Sequence, residues 1–271
     1  MAALCKNSVL RNDSSQSLID RRFISLVKAP LTIVRSEIPR LLKISIIFDG
    51  QFKPLNPIYP SPTEISLANG ALKYTWSILT CRNGTMFCSR SDKSLFLIKM
   101  IWWEILRLGI PPYMDSRLCA CISRNEVKEF LTKTLLTLGV RESEMSAFTS
   151  YWDDTFNKDP FFLKYPYLLV QLIEPDDLHR FVPKMVLEGT SAAQFAIKRF
   201  FFRFKPVEDT ERGKSPERFI FELIPHVPDP NAVIDLGGEV VPENFSSPQI
   251  SGMKEPLPGY VDSFIKKFIL V

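Results

Sequence analysis

The hydrophobic pattern is clearest between Ser123 and Gly139, where it follows the period of a helix. Ser123 and Glu126 have the spacing of a capping box, in which each side chain accepts a hydrogen bond from the other residue's backbone N–H. Gly139 stands where a helix often ends in a left-handed residue. The sequence therefore predicts a helix with one apolar stripe, formed by Val127, Phe130, Leu131, Thr134, Leu135 and Leu138.

A second helix is predicted from about Ser143, with an apolar side that carries Met145, Phe148, Tyr151 and Trp152. Two short helices joined by a glycine turn also occur in DNA-binding helix-turn-helix proteins. The second helix is acidic, however, and its carboxylates would repel phosphates. We therefore expect a helical hairpin that packs on a sheet.

Alternating apolar and polar residues predict strands at 42–48 and 71–79, and Asn83-Gly84 offers a hairpin turn after the second of them. Residues 95–108 are apolar with neither period clear, and we interpret them as a buried strand. Further strands are predicted at 167–173, 183–187, 196–205 and 218–224. Of these, 196–205 has phenylalanines on one face and basic residues on the other, and we expect it to pair with 218–224 as a hairpin.

The two ends of the chain are less regular. Residues 17–29 predict a short helix that Pro30 ends, and residues 225–258 hold seven prolines and are expected to wrap the surface, with Gly237-Gly238 as a turn. Tyr260, Val261, Phe264, Ile265, Phe268 and Ile269 predict a terminal helix docked on the body.

The pattern as a whole predicts an α+β fold with a largely antiparallel β-sheet, a helical hairpin that covers it, and long proline-rich connections. The 21 prolines and only 11 glycines agree with such connections. The predicted organisation is a mobile tail at 1–16, an α+β core domain at 17–224, and a wrapping segment with a C-terminal helix at 225–271.

Composition narrows the classes of function. A formal charge of +4 over 271 residues, with the basic residues scattered, argues against nucleic acid as a partner. No apolar segment is long enough for a transmembrane span. The N-terminus lacks signal-peptide features, so we expect a cytoplasmic protein, with a mitochondrial location as the alternative because of Arg11, Arg21, Arg22 and Lys28.

The five cysteines are an odd number for a disulfide framework, and we interpret them as reduced thiols. Cys81 and Cys88 flank the predicted turn and would face each other across a hairpin, which leaves a disulfide open in an oxidising compartment. No paired CxxC spacing occurs, so no metal site is predicted. No dinucleotide, nucleotide or hydrolase signature occurs either, so no cofactor is predicted.

Few residues are candidates for acid–base chemistry. Asp176 lies within helical reach of His179, where a carboxylate could orient an imidazole base, although a helix start explains the same residues without chemistry and is the favoured interpretation. Glu104 is a third catalytic candidate because it stands in an apolar run. Trp103, Tyr151 and Trp152 are candidate walls of a ligand pocket, and buried aromatic packing is the alternative role for them.

Several segments taken together resemble a family of fungal and bacterial proteins of undefined function. The resemblance covers about residues 42–207. Its motifs are Leu72-Lys-Tyr-Thr-Trp76, Trp102-Trp103-Glu104, Glu129-Phe130-Leu131 with Leu138-Gly139, Tyr151-Trp152, and Arg199-Phe-Phe-Phe-Arg-Phe-Lys-Pro-Val207. The resemblance implies a shared α+β body, and it brings no catalytic residue with it.

Two functions follow as hypotheses. The first is a soluble binding or interaction protein, whose partner is a small molecule or a protein. The second is an enzyme that acts on a small apolar metabolite with a carboxylate as acid and base. A weak membrane-surface or partner contact through residues 260–269 is a further hypothesis, which Lys266 and Lys267 support.

Overall fold

The computed structural model describes residues 24–82, 84–89, 94–108, 113–209 and 213–241. These ranges contain three α-helices, α1 Val127–Thr137, α2 Glu142–Lys158 and α3 Pro216–Glu222. They also contain thirteen strands: β1 Ile24–Arg35, β2 Leu41–Phe48, β3 Phe52–Tyr59, β4 Glu64–Ala68, β5 Ala71–Thr80, β6 Met86–Ser89, β7 Leu95–Ile98, β8 Ile101–Leu108, β9 Ala120–Ser123, β10 Tyr167–Leu172, β11 Lys184–Glu188, β12 Ala196–Val207 and β13 Ala232–Val240.

The strands form two sheets. One has seven strands in the order β3-β8-β1-β13-β12-β10-β9, and the other has the order β11-β2-β5-β6-β7, with β4 also paired to β5. Among the described pairs, β12 and β13 run parallel and all the others are antiparallel. The expectation of an α+β protein with largely antiparallel sheet is confirmed at this level.

The seven-stranded sheet is covered on both faces, as its neighbouring tryptophans show. Trp102 contacts Tyr151 of α2, with ring centroids 5.7 Å apart. Trp103 points to the opposite face, where it lies 6.5 Å from Phe48 of the six-stranded sheet. Residues of both sheets, α1 and α2 belong to one buried apolar cluster. The seven-stranded sheet is therefore the middle layer between helices and a second sheet.

The helices follow their predicted stripes, and Phe130, Leu135 and Leu138 are all buried. Gly139, between α1 and α2, has a φ of +79° as the sequence predicts. The predicted capping box of Ser123 and Glu126 is wrong. A 3-10 turn precedes α1, and the Ser123 side chain makes no capping hydrogen bond. Glu144 fills one half of such a motif instead, because its side chain accepts from the Arg141 N–H at 2.8 Å.

Most predicted strands are confirmed, with two adjustments. The run 95–108 divides into β7 and β8, which belong to different sheets. The proline-rich connection near Pro54 is the edge strand β3, where a missing N–H is tolerated on the open side. The predicted hairpin is also confirmed as the antiparallel pair β5 and β6, but Cys88 pairs with Ile78 and not with Cys81, and neither cysteine forms a disulfide.

Three segments differ in kind from their predictions. Residues 24–29 are part of β1 and not of a helix. Residues 218–222 lie in α3, so they do not pair with β12, whose partners are β10 and β13. Residues 232–240 form a strand between β1 and β12 and do not wrap the surface. The predicted tail at 1–16 and the terminal helix at 260–269 lie outside the described residues.

Candidate functional site

A cavity opens at the edge of the seven-stranded sheet, where β10 extends beyond its neighbour. β9 pairs with Tyr167 to Val170 only, so the last two residues of β10, Gln171 and Leu172, have no described strand on that side. The cavity at this position has a volume of about 240 Å³. Its lining comes from β10, the turn that follows it, β12 and α3, and includes Tyr113, Leu118, Gln171, Leu172, Ile173, Glu174, Asp177, Arg180, Phe181, Arg203, Lys214, Phe219, Glu222 and Leu223.

Arg203 forms the polar floor of the cavity, although its side chain is only 1% exposed. Its Nε donates to the Glu239 Oε1 at 2.8 Å. Its Nη1 makes longer contacts with two groups of the lining, 3.3 Å to the Gln171 Oε1 and 3.5 Å to the Tyr113 carbonyl oxygen. Parallel pairing places Arg203 directly beside Glu239, so the backbone register itself brings the two charges together.

A second buried guanidinium shares the same carboxylate. Arg107 of β8 lies with its Nη2 2.9 Å from the Glu239 Oε2. Burial lowers the pKa of Arg107, and Arg203 adds to this effect while Glu239 opposes it. The ring of Phe181 lies near both guanidiniums, 5.0 Å from the Arg107 Cζ and 5.1 Å from the Arg203 Cζ, which is the range of cation–π contacts.

A similar pair of a base and an acid lies four residues earlier on the same two strands. Arg199 donates from Nε to the Asp235 Oδ2 at 2.9 Å, and Thr32 donates to the Oδ1 at 3.0 Å. Trp103 donates to the Thr32 hydroxyl at 3.0 Å, and Arg199 also donates to the Pro183 carbonyl at 2.7 Å. Burial raises the pKa of Asp235, and Arg199 and Thr32 oppose that shift.

The rim of the cavity combines ion pairs with apolar side chains. Arg180 pairs with Asp177 at 3.3 Å, and Lys214 pairs with Glu222. Phe219 contributes an apolar wall and is held from behind by Phe130 of α1, with ring centroids 5.6 Å apart. The cavity is therefore lined by apolar side chains and rim ion pairs, and a guanidinium lies at its inner end.

The structure does not gather the sequence-predicted site residues at this cavity. Trp103 lies between the sheets, while Tyr151 and Trp152 lie on the helix face, so the three predicted wall residues are divided by the middle layer. All three are buried in the core. Their role as pocket walls stays a prediction, which this separation does not favour.

The predicted catalytic residues also lie apart from one another. Glu104 is buried in β8, whereas Asp176 and His179 are exposed in the 3-10 helix Pro175–Arg180. The His179 Nδ1 donates to the Asp176 carbonyl oxygen at 2.8 Å, so the contact involves the main chain and not the carboxylate. None of the three residues lines the cavity.

The residues that do form the site gave only a partial signal in the sequence. The alternation of 196–205 marked Arg199 and Arg203 as members of one face. Asp235 and Glu239 have the same spacing of four residues, which in two paired strands places each acid beside one base. That matching spacing is the signal that could have located the site.

In the part of the chain that the structure describes, no cluster of three or more histidine, cysteine or acidic residues has the geometry of a metal site. No helix within the same ranges has both the length and the apolar composition to cross a bilayer. Comparison with protein-family models, curated proteins and solved structures finds no match to the chain. The resemblance to fungal and bacterial proteins stays a prediction.

Proposed function

We propose that this protein is a binding protein and not an enzyme, and that it holds a small carboxylate with an apolar chain in the cavity beside Arg203. The proposal rests on the contacts of the Arg203 Nη1. It belongs to a buried guanidinium, and its contacts with cavity-lining groups are long, at 3.3 and 3.5 Å. A carboxylate at the cavity's inner end would form a shorter, charge-assisted hydrogen bond there.

The lining supports an apolar remainder for the ligand. Phe181, Phe219, Leu118 and Leu223 line the same cavity as Arg203. The volume of about 240 Å³ is below the range of roughly 300–1,000 Å³ that holds drug-sized ligands. The ligand class is therefore a small metabolite, such as a short-chain fatty acid, or the end of a longer chain that enters through the rim.

The burial of Arg203 supports a charged ligand over a neutral one. A guanidinium with 1% of its side chain exposed acts in a medium of low dielectric constant, where its attraction for an anion is stronger than at the surface. The flat fork of the guanidinium also matches the geometry of a carboxylate. Glu239 accepts from the Nε side of the fork, and Nη1 contacts the lining residues Gln171 and Tyr113.

The residues that line the cavity give less support to the enzyme hypothesis. Acid–base catalysis requires a titratable group within hydrogen-bond reach of the substrate. Glu104, Asp176 and His179 do not line the cavity. Of the three carboxylates that do, Asp177 and Glu222 are engaged in ion pairs and Glu174 is exposed at the rim. In this proposal α1 and α2 are the predicted helical hairpin that covers the sheet. The cytoplasmic location stays a prediction.

Isothermal titration of the purified full chain with hexanoate and with hexanamide tests the proposal. The two probes have the same chain length and differ in charge. Because a hydrogen bond to a charged partner is worth roughly 1.5–3 kcal/mol, hexanoate should bind about tenfold or more tightly than hexanamide. Binding of neither probe would contradict the cavity as a binding site, and equal binding would contradict the role of Arg203.

A pair of tryptophan variants locates the binding. Leu223 lines the cavity, so Leu223→Trp should fill the space and reduce hexanoate affinity at least tenfold. Phe221, two residues earlier, is 89% exposed and does not line the cavity, so Phe221→Trp is the matched control and should bind like the parent chain. Hexanoate affinity that is unchanged in Leu223→Trp would place the ligand elsewhere.

A further inference from the structure

The outward face of the six-stranded sheet carries a row of apolar side chains. Leu42, Ile44, Ile46 and Phe48 of β2 are buried, so the alternate residues of β2 point away from the core. On that outward side Leu41 lies opposite Leu79, Leu79 opposite Phe87, and Phe87 opposite Leu97. These four residues form a continuous line across β2, β5, β6 and β7, which we call the outer apolar row.

The outer apolar row is confined to one end of the sheet. Further along the same outward face, Lys73 of β5 pairs with Glu188 of β11 at 2.6 Å. This ion pair spans β2, and on the same face Ser45 and Thr75 are buried and hydrogen-bonded to each other at 2.9 Å. One end of the outward face is thus closed by polar contacts, while Leu41 at the other end is 70% exposed.

The size of the outer apolar row decides which kind of occupant it fits. A stable interface with a second copy needs on the order of 800 Å² of surface from each partner. Four apolar side chains on one line offer less, roughly the few hundred Å² of an ordinary surface patch. One face of a short amphipathic helix has a matching size, because such a helix presents a single apolar stripe.

The sequence of the chain itself predicts such a helix. The stripe at 260–269 places Tyr260, Val261, Phe264, Ile265, Phe268 and Ile269 on one side, with Lys266 and Lys267 outside it. The 18 residues 242–259 connect it to the end of β13. At about 3.3 Å per residue they span up to about 60 Å, so the stripe can reach either end of the sheet.

We propose that residues 260–269 of this chain dock on the outer apolar row as an amphipathic helix and cover it. The tether favours this occupant over a separate partner, because a linked segment acts at an effective concentration of millimolar order. The proposal is independent of the ligand cavity, since no residue of the row lines that cavity.

Limited digestion of the full chain with trypsin tests the docking. Cleavage after Lys266 or Lys267 requires the segment to leave the sheet, so its rate follows the population of the undocked state. Leu41→Ser removes one side chain from the row and should accelerate this cleavage about three- to tenfold, as followed by mass spectrometry. Leu67→Ser is the matched control, because Leu67 is 75% exposed on β4 but lies opposite Leu72, outside the row.

Equal cleavage rates in Leu41→Ser, Leu67→Ser and the parent chain would overturn the proposal. Two further measurements distinguish docking of residues 260–269 from two alternatives, which are a second copy on the row and a membrane surface for the stripe. A dimer mass in light scattering that Leu41→Ser converts to a monomer would assign the row to a second copy. Sedimentation with phosphatidylcholine–phosphatidylserine vesicles that Phe264→Glu abolishes, without a change in cleavage between Leu41→Ser and the parent, would assign the stripe to a membrane surface.

Discussion

At the scale of single residues, Gly238 shows how closely β13 approaches the helix layer. A Cβ added at Gly238 would lie 2.7 Å from the Trp152 Cζ2 and 3.0 Å from the Phe202 carbonyl oxygen. Trp152 in turn packs against Phe204, with ring centroids 4.4 Å apart, so the ring has little freedom to move. The sequence suggested a turn at Gly237-Gly238, whereas the structure uses Gly238 to make space for an indole.

We predict that Gly238→Ala destabilises the protein by about 1–3 kcal/mol, because the added methyl overpacks a full core. Urea unfolding monitored by tryptophan fluorescence measures this difference. Gly50→Ala is the control, since a Cβ there meets no atom within 4 Å, and it should stay within about 0.5 kcal/mol of the parent. Equal stability of the two variants would show that Trp152 can move aside.

Asp235 gives a prediction about pH. Burial raises its pKa in the folded protein above the ordinary aspartate value of about 3.9. The folded state then holds this proton where the unfolded state has lost it, so the contribution of Asp235 to stability is full below pH about 3.9 and falls as the pH rises toward the folded pKa. The variant Asp235→Asn lacks this contribution, because an asparagine side chain does not ionise.

The stability of the parent chain relative to Asp235→Asn should therefore decrease as the pH is raised from 4. Urea unfolding of both proteins at several pH values between 4 and 8 measures the difference. If the parent instead gains stability relative to the variant as the pH rises, the ion pair with Arg199 outweighs burial and the direction of the pKa shift is wrong.

At the scale of elements, β13 organises the charges between the two sheets. It lies between β1 and β12 and presents Asp235 and Glu239 to the bases of β12. Glu239 also meets Arg107 of β8, which is two strands away across β1. The Glu239 carboxylate thus joins β8, β12 and β13, three strands of one sheet.

Glu239→Gln should cost about 3–5 kcal/mol of folding free energy, because it leaves the guanidiniums of Arg107 and Arg203 in the core without their shared carboxylate. Chemical denaturation measures the loss. Glu129→Gln, in the exposed ion pair with Lys133, is the matched control and should leave the stability close to that of the parent. A similar small effect in both variants would contradict a structural role for the buried charges.

The elements also show where sequence reasoning succeeds. β2 and β5 were predicted because one face is apolar, β10 because it is a short apolar run, and α1 and α2 because their stripes follow the helical period. β13 was missed because both of its faces are buried while one of them carries acids and glycine, so no alternation of polarity remains. α3 was mistaken for a strand, although Ser215 caps it and Pro216 occupies its first position.

At the scale of the whole molecule, the layers could be predicted only in part. The sequence indicated an α+β protein with helices on a sheet, but not that a second sheet covers the opposite face. The site was harder still, because Arg203, Gln171 and Phe181 come together only through the register of β10, β12 and β13 and the turn that follows β10. The matching spacing of bases and acids is compatible with pairing of β12 and β13, but the pattern within each strand does not determine which strands lie side by side.

The most direct test of the proposed function is a crystal structure of the full chain with hexanoate. We predict that a carboxylate oxygen lies within about 3 Å of the Arg203 Nη1, replacing its long contacts with Gln171 and Tyr113, and that the alkyl chain lies against Phe181 and Phe219. A cavity that is empty at a hexanoate concentration saturating in solution, or a carboxylate bound away from Arg203, would contradict the account.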